Sequence, residues 1–245
     1  MSYIKKIHTL VGDFHCHSLA SVHAYSTIGE NIKAAKVKGL KALAITDHAI
    51  GTEDSPSLSY FENLPSLPKV VDGIRVLTGV EANIMNFKGE VDMPVETLKK
   101  LDIVIASYHT SCTRPGTVQQ HTESYLQLAK NPYINIIGHA GTENFAFDYE
   151  KVVPVLGEAK KVFEINDHTF KCRKKSISNC ITIAKLCKKY GFRIMVNSDA
   201  HSQYDVGSCD NAFAMLEDIK FPEELIININ EDRIAEYLNS INVLY

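Results

Sequence analysis

At 245 residues, with 45% hydrophobic and 22% charged residues, the chain has the composition of a soluble globular protein and enough length to bury a full core. A formal net charge of −3 leaves no overall basic footprint for nucleic acid, and no uninterrupted apolar run approaches the ~20 residues that span a bilayer. The N-terminus, Met1-Ser-Tyr-Ile-Lys-Lys, lacks the apolar core of a signal peptide, and six dispersed cysteines without a C-x-x-C pair fit free thiols in a reducing compartment, so the expected location is cytoplasmic.

Along the chain, seven apolar runs each end on a residue able to hold a metal or a polar substrate. The first is Val11-Gly-Asp-Phe-His15-Cys-His17, and His23 follows in the next loop. Glu30 to Lys38 carries Ile32 and Ala35 at helical spacing and stops at Gly39, a C′ residue. Leu43-Ala-Ile-Thr-Asp-His48, Val76-Leu-Thr-Gly-Val-Glu81 and Ile103-Val-Ile-Ala-Ser-Tyr-His109 are the next three runs. Glu123 to Lys130 reads as a helix and, beyond Ile134-Asn-Ile-Ile-Gly-His139, so does Lys151 to Gly157. The sixth run is Val162-Phe-Glu-Ile-Asn166. Ile177 to Tyr190 is an amphipathic helix with Ile181, Ala184 and Cys187 inside and Lys185, Lys188 and Lys189 outside, ending at Gly191. After the seventh run, Ile194-Met-Val-Asn-Ser-Asp199-Ala-His201, helices are expected over Asn211 to Asp218 and over Glu231 to Asn239, the latter with Asn230 as N-cap. Leu225-Ile-Ile-Asn between them reads as a short strand or a packed connection.

From His15 to Asp199 the polar ends recur every 27 to 33 residues, close to the ~30 residues of a strand plus its return helix. Strand–helix alternation means a parallel sheet, and runs apolar at nearly every position are strands covered on both faces. An open doubly wound sheet is the competing architecture, but its outermost strand ends lie too far apart to share one site. The expectation is therefore a single domain over residues 1–245, a distorted parallel (β/α)7 barrel of TIM-like design whose strand ends converge on one pocket.

Side chains alternate along a strand, so His15 and His17 point one way and Cys16 the other. Asp199 and His201 repeat that geometry on the seventh strand. A lone strand-end histidine is more often a core or loop residue, yet His48, Glu81, His109 and His139 all close an apolar run at a matching point. The donors are imidazole and carboxylate without thiolate, which suits Zn²⁺, Mn²⁺ or iron. With His23, nine donors suffice for two or three ions and open positions. Such a site activates water and clamps an oxyanion, so hydrolysis is the expected chemistry.

Asp13-Phe-His-Cys-His, Ser21-Val-His-Ala-Tyr-Ser-Thr, Ile45-Thr-Asp-His, Gly79-Val-Glu-Ala-Asn-Ile and Asn197-Ser-Asp-Ala-His together resemble the polymerase-and-histidinol-phosphatase (PHP) superfamily, and within it the YcdX-type phosphatases. The resemblance runs from about residue 10 to 240. It implies a trinuclear centre: one metal on His15, His17, Glu81 and Asp199, a second on Glu81, His109 and His139, and a third on His23, His48 and His201. It also implies a trimer. Gly138-His-Ala-Gly lacks the proline expected after the histidine.

The sixth run brings no ligand. Asn166 leads into a basic loop, Asp167-His168-Thr-Phe-Lys171-Cys-Arg173-Lys174-Lys175, where Arg173 matches a basic position of the resembled family and is suited to bind phosphate bidentately. Asn166 joins it as a substrate-binding candidate, and His168 is either a proton donor to the leaving group or a surface histidine, the second being favoured. His8 and His121 read as structural. The expected activity is a metal-dependent phosphatase (three ions, zinc first, with manganese or iron as alternatives) acting on small phosphomonoesters. The expected nucleophile is a metal-bound hydroxide, with no protein nucleophile. Competing readings are an amidohydrolase-type C–N hydrolase with one or two metals, a nuclease of the same superfamily, and a non-catalytic metal-binding barrel. Neither a nucleic-acid nor a membrane partner is expected.

Overall fold

The computed structural model describes residues 9–53 and 55–245; His8 and the N-terminal segment read above lie outside the described residues. Seven strands pair successively in parallel: β1 (Gly12–Asp13), β2 (Ala42–Ile45), β4 (Ile74–Asn83), β5 (Ile103–Ser107), β6 (Ile136–Ile137), β7 (Val162–Asn166) and β8 (Ile194–Asn197). A two-residue strand, β3 (Val70–Val71), pairs antiparallel with β4. Helices α1 (Ile28–Val37), α2 (Leu58–Asn63), α3 (Val95–Leu98), α4 (Val118–Leu128), α5 (Tyr149–Glu158), α6 (His168–Cys172), α7 (Ile177–Tyr190), α8 (Asp210–Asp218) and α9 (Glu231–Ser240) complete the chain.

The sheet curls into a nearly closed barrel, and its seam between β8 and β1 is sealed in two ways. Toward the C-terminal ends of the strands, Cys16 and Ala200 form a parallel bridge, with the His17 amide 2.8 Å from the Ala200 carbonyl. Below it the Phe14 amide donates to Asn197 Oδ1 at 3.0 Å, and lower still Asn228 stands between Gly12 and Val196. Its Nδ2 donates to the carbonyls of Gly12 (2.8 Å) and Val196 (2.6 Å), and its Oδ1 accepts from the Val196 amide (3.0 Å). This is what Leu225-Ile-Ile-Asn does: two 3₁₀ turns and a single bridge between Ile226 and Ile194, a packed connection in which a side chain replaces strand pairing.

Inside the barrel, Phe14, Ala44, Leu77, Ile105, Ile136 and Met195 pack against Ile227 and against Ile234, Tyr237 and Leu238 of α9. The lower half is thus plugged by apolar side chains, and polar groups gather only at the upper rim. The opposite faces of the strands join the helices in a larger apolar cluster, where Cys16 lies.

Local chemistry explains where the helices start and stop. Thr27 and Glu30 form a capping box for α1, which ends before Gly39 at φ +79. α7 ends before Gly191 at φ +72, and the Asn230 side chain accepts the Arg233 amide to open α9. α4 and α5 begin earlier than the apolar periodicity indicates, because Thr117 with Gln120 and Asp148 cap their orphan amides. The basic stretch after β7 is not a loop. Asn166 Oδ1 accepts the Thr169 amide at 3.0 Å and starts α6, which runs into a 3₁₀ turn at Lys174–Ser176. All six cysteines are free, and among the described residues no helix is long and apolar enough to cross a membrane.

Candidate metal centre

Glu81 stands at the middle of the upper rim, 1% exposed, on the inward face of β4. Its Oε2 lies 3.4 Å from His15 Nε2 and 3.5 Å from His17 Nε2, while its Oε1 lies 2.9 Å from His139 Nε2 and 3.4 Å from His109 Nε2. Asp199 Oδ1 faces the first pair, 3.5 Å from His15 Nε2 and 3.1 Å from His17 Nε2. On the other flank His48 Nε2 is 3.2 Å from His23 Nε2, and the rings of His23 and His201 stack at 4.8 Å. The structure therefore brings all nine sequence-derived donors into one cluster. Its tightest triads are His15–His17–Asp199, His17–His48–His201 and His48–Glu81–His109, so His48 faces both the Glu81 group and the His23–His201 group.

Two of these donors need unusual backbone to face inward. His139 and Asp199 adopt φ +27 and +56, a region costly for residues with a Cβ and often reserved for function. Before His139, a Cβ on Gly138 would lie 2.2 Å from Ser107 Oγ and 2.7 Å from Ile105 Cγ2. Only glycine lets β6 approach β5 closely enough there.

The electrostatics suit cation binding. Burial alone would raise the Glu81 carboxyl, but His109, His15 and His48 outweigh it and hold the group well below the usual carboxylate range. Asp199 is likewise held well below that range, by His15, His17 and Arg173 against the effect of burial. Burial, reinforced by His48, pushes His17 well down, and burial with the nearby Arg173 lowers His139 to about 4. His15 moves the other way: Glu164, Asp199 and Glu81 overcome burial and raise it well above its ordinary value. Ionised carboxylates and neutral imidazoles are the ligating forms, and a metal entering beside His15 must displace its proton. Three buried atoms, His15 Nε2, His48 Nδ1 and Glu81 Oε2, have no hydrogen-bond partner among the described residues, although the last two lie 2.8 Å apart. Orphaned donor atoms converging on a carboxylate are what a cation would satisfy, so these residues fit metal ions.

Four of the rings are also held from behind. His15 Nδ1 lies 2.7 Å from Glu164 Oε1, His17 Nδ1 3.4 Å from Ser21 Oγ, His109 Nδ1 2.6 Å from Asn83 Oδ1 and His201 Nδ1 2.9 Å from the Asp199 carbonyl. An acceptor at Nδ1 leaves the Nε2 lone pair for a metal. Glu164 is the most connected of these supports, and sequence reasoning missed it. Buried at 3% exposure, it also accepts from the His139 amide (2.8 Å) and from the side-chain amides of Asn166 (3.0 Å) and Asn197 (3.0 Å). Its signal was present: an acid inside the apolar run Val162-Phe-Glu-Ile-Asn166, two residues before Asn166 and so on the same face.

A cavity of about 390 Å³ opens above the cluster, lined by His23, His48, Glu81, His109, Asp199 and His201 and by Tyr25, Thr52, Ser111, His168 and Arg173. Arg173 Nη2 is tied to Asp199 Oδ2 at 3.1 Å and Asn166 Oδ1 at 3.3 Å. Asn166 is itself buried beneath, with Nδ2 3.1 Å from Asp199 Oδ2. His168, favoured above as a surface histidine, lies on the cavity wall with its ring 5.6 Å from that of His201. The half-buried α6 that carries it is what the sequence reading lacked. His121 is structural as expected: buried, it accepts from the Gly116 amide and contacts the Ala146 carbonyl.

Comparison with known proteins agrees with this architecture. The family model described as PHP domain matches residues 13–170, and a PHP-associated model matches residues 182–234. A "Probable phosphatase" of Acetivibrio thermocellus is 43% identical over 228 residues, covering 93% of this chain and 95% of the relative. One from Caldicellulosiruptor saccharolyticus is 46% identical over 224 residues, covering 91% and 94%. Among solved structures, a histidinol phosphate phosphatase of Lactococcus lactis, complexed with zinc, L-histidinol and phosphate, superposes with a TM-score of 0.61 at 18% identity, covering 86% of this chain and 94% of that one. The matched models span most of the chain and the relatives align along nearly all of it: this protein belongs to the PHP family.

Proposed function

We propose that this metal-dependent phosphatase removes phosphate from a small phosphomonoester at a three-metal centre. Its first set of ligands would be His15, His17, Glu81 and Asp199, its second Glu81, His109 and His139, and its third His23, His48 and His201. The observation that carries the reading is the split of Glu81: one oxygen faces the His15–His17 pair and the other faces His109 and His139, as a carboxylate shared between two ions would. Zinc is the ion we favour, given the nitrogen-rich donor set. When bound, the ions supply an activated water and Lewis-acid stabilisation of charge on the phosphate oxygens.

The chain's own residues bind and orient. Arg173, fixed at its Nη2 by Asp199 and Asn166, presents a guanidinium to the cavity that pairs with phosphate oxygens as negative charge builds. Asn166 holds that guanidinium and the Asp199 carboxylate in one register. His168 and Tyr25 line the outer part of the cavity, where the alcohol portion of the ester would lie. The apolar plug below the rim closes the floor against solvent. Protein loaded with Zn²⁺ or Mn²⁺ should release inorganic phosphate from a generic aryl phosphate and lose that activity on chelation. No turnover of any phosphomonoester with any of these metals would refute the reading.

A further inference from the structure

Of the histidines around Glu81, His109 is the least enclosed: its side chain is 19% exposed, against 0% for His15 and 2% for His139. The hydrogen bond at its back therefore carries more of the work of orienting its ring. That bond comes from Asn83, two residues past Glu81 on the same face of β4, whose Oδ1 lies 2.6 Å from His109 Nδ1. The amide of Asn83 has only one chemically allowed orientation. Its Nδ2 donates to Asp92 Oδ2 at 2.7 Å and to the Ala49 carbonyl at 3.3 Å, both acceptors only. The Asn83 oxygen must therefore face His109, and His109 must carry its proton on Nδ1. Asp92 is itself locked, accepting the Asn83 amide at 2.8 Å and the Gly51 amide at 2.6 Å while its own amide donates to the Asn83 carbonyl.

We propose that Asp92, acting through Asn83, is a positioning residue that fixes the tautomer of His109 and thereby sets metal affinity on the His109–His139 side of the centre. The proposal rests on the metal-site reading above, not on the identity of the reaction. Asp92→Asn replaces an acceptor with a group that also donates, which frees the Asn83 amide to rotate and His109 to move its proton to Nε2, the ligating nitrogen.

The test uses the full-length protein labelled with ¹⁵N-histidine. Without metal, long-range ¹⁵N–¹H correlation should show wild-type His109 with a proton on Nδ1 and Asp92→Asn with that proton wholly or partly lost from Nδ1. Titration of Zn²⁺ against a chromophoric chelator should show one site weakened about 10- to 100-fold, the usual effect of losing a ligand's supporting hydrogen bond. The exchange variant Asn83→Asp/Asp92→Asn, which returns an acceptor-only group to His109, should restore the Nδ1–H form and most of the affinity. Asp102→Asn is the structural control. That carboxylate holds the Thr78 amide and hydroxyl in the middle of β4, so its loss should lower stability without altering tautomer or affinity. The proposal is overturned if Asp92→Asn keeps the Nδ1 proton in full with affinity within twofold of wild type, if the exchange variant recovers neither, or if Asp102→Asn weakens zinc equally. None of these readouts needs turnover, so failure of the phosphatase reading would be seen separately, as wild-type protein that binds zinc and releases no phosphate.

Discussion

Replacing Glu164 by Gln tests the claim that one buried carboxylate organises the centre from below. The change is nearly isosteric, so its effect is confined to hydrogen bonding. Four N–H groups point at the native carboxylate: His15 Nδ1 and Asn197 Nδ2 at Oε1, and the His139 amide and Asn166 Nδ2 at Oε2. Glutamine keeps one acceptor oxygen and puts an NH₂ at the other position, so whichever way it turns, two buried donors meet a donor. At about 1–3 kcal/mol for each unsatisfied buried group, the loss sums to roughly 2–6 kcal/mol. At about 2–4 °C per kcal/mol for a chain of this size, that is a fall in Tm of roughly 4–24 °C. The amide should settle with its oxygen toward His15, the stronger interaction, so the damage concentrates on the His139 amide and Asn166. Differential scanning calorimetry of the metal-free protein reads the first effect. Metal analysis after zinc loading reads the second, where the His109–His139 side should suffer before the His15–His17 side. A metal-free variant melting within 2 °C of wild type would refute the accounting, because no arrangement of glutamine satisfies all four donors.

Three further outcomes follow from the same geometry. Arg173→Ala should lower kcat/KM about 10- to 150-fold, from the roughly 1.5–3 kcal/mol of a charge-assisted contact to phosphate, with metal content intact, and Lys at that position should recover only part; kinetic silence would make the guanidinium a mere support for Asp199. His48→Ala should remove about one metal ion per chain and sharply reduce turnover, whereas unchanged stoichiometry by metal analysis would exclude His48 as a ligand. Gly138→Ala forces a Cβ to 2.2 Å from Ser107 Oγ and should cost about 1–3 kcal/mol; adding Ser107→Gly should return part of that loss in denaturant titration, and no recovery would mean that Ile105 is the true obstacle.

The barrel rim was legible in the sequence because strands buried on both faces tolerate few polar residues. His15, His48, Glu81, His109, His139 and Asp199 therefore stood out as interruptions of apolar runs. Their convergence in space followed from parallel topology alone. The supporting groups were harder to see. Glu164 sits within a run rather than at its end, and Asp92 lies on a connection whose partner Asn83 is chosen by a turn that no periodicity announces. α6 hid because a five-residue helix begun by an asparagine side chain leaves no apolar stripe. β1 and β6 are two residues long, so the apolar runs overstate them: sterically close neighbours and side-chain bonds do the rest of the pairing.

The seam at Asn228 has a consequence for how the chain reaches its native state. Asn228, which follows every rim donor in the chain, links Gly12 of the first strand to Val196 of the last. As the chain emerges from the ribosome, every donor from His15 to His201 is available before the ring they occupy can close. Until residue 228 is out, the lower part of the seam is unsealed and the apolar floor lacks α9, the kind of exposed, long-range-dependent intermediate that folds slowly and aggregates readily. A nascent chain arrested upstream of Asn228 should thus remain protease-sensitive even with zinc in excess, and one arrested well past α9 should not.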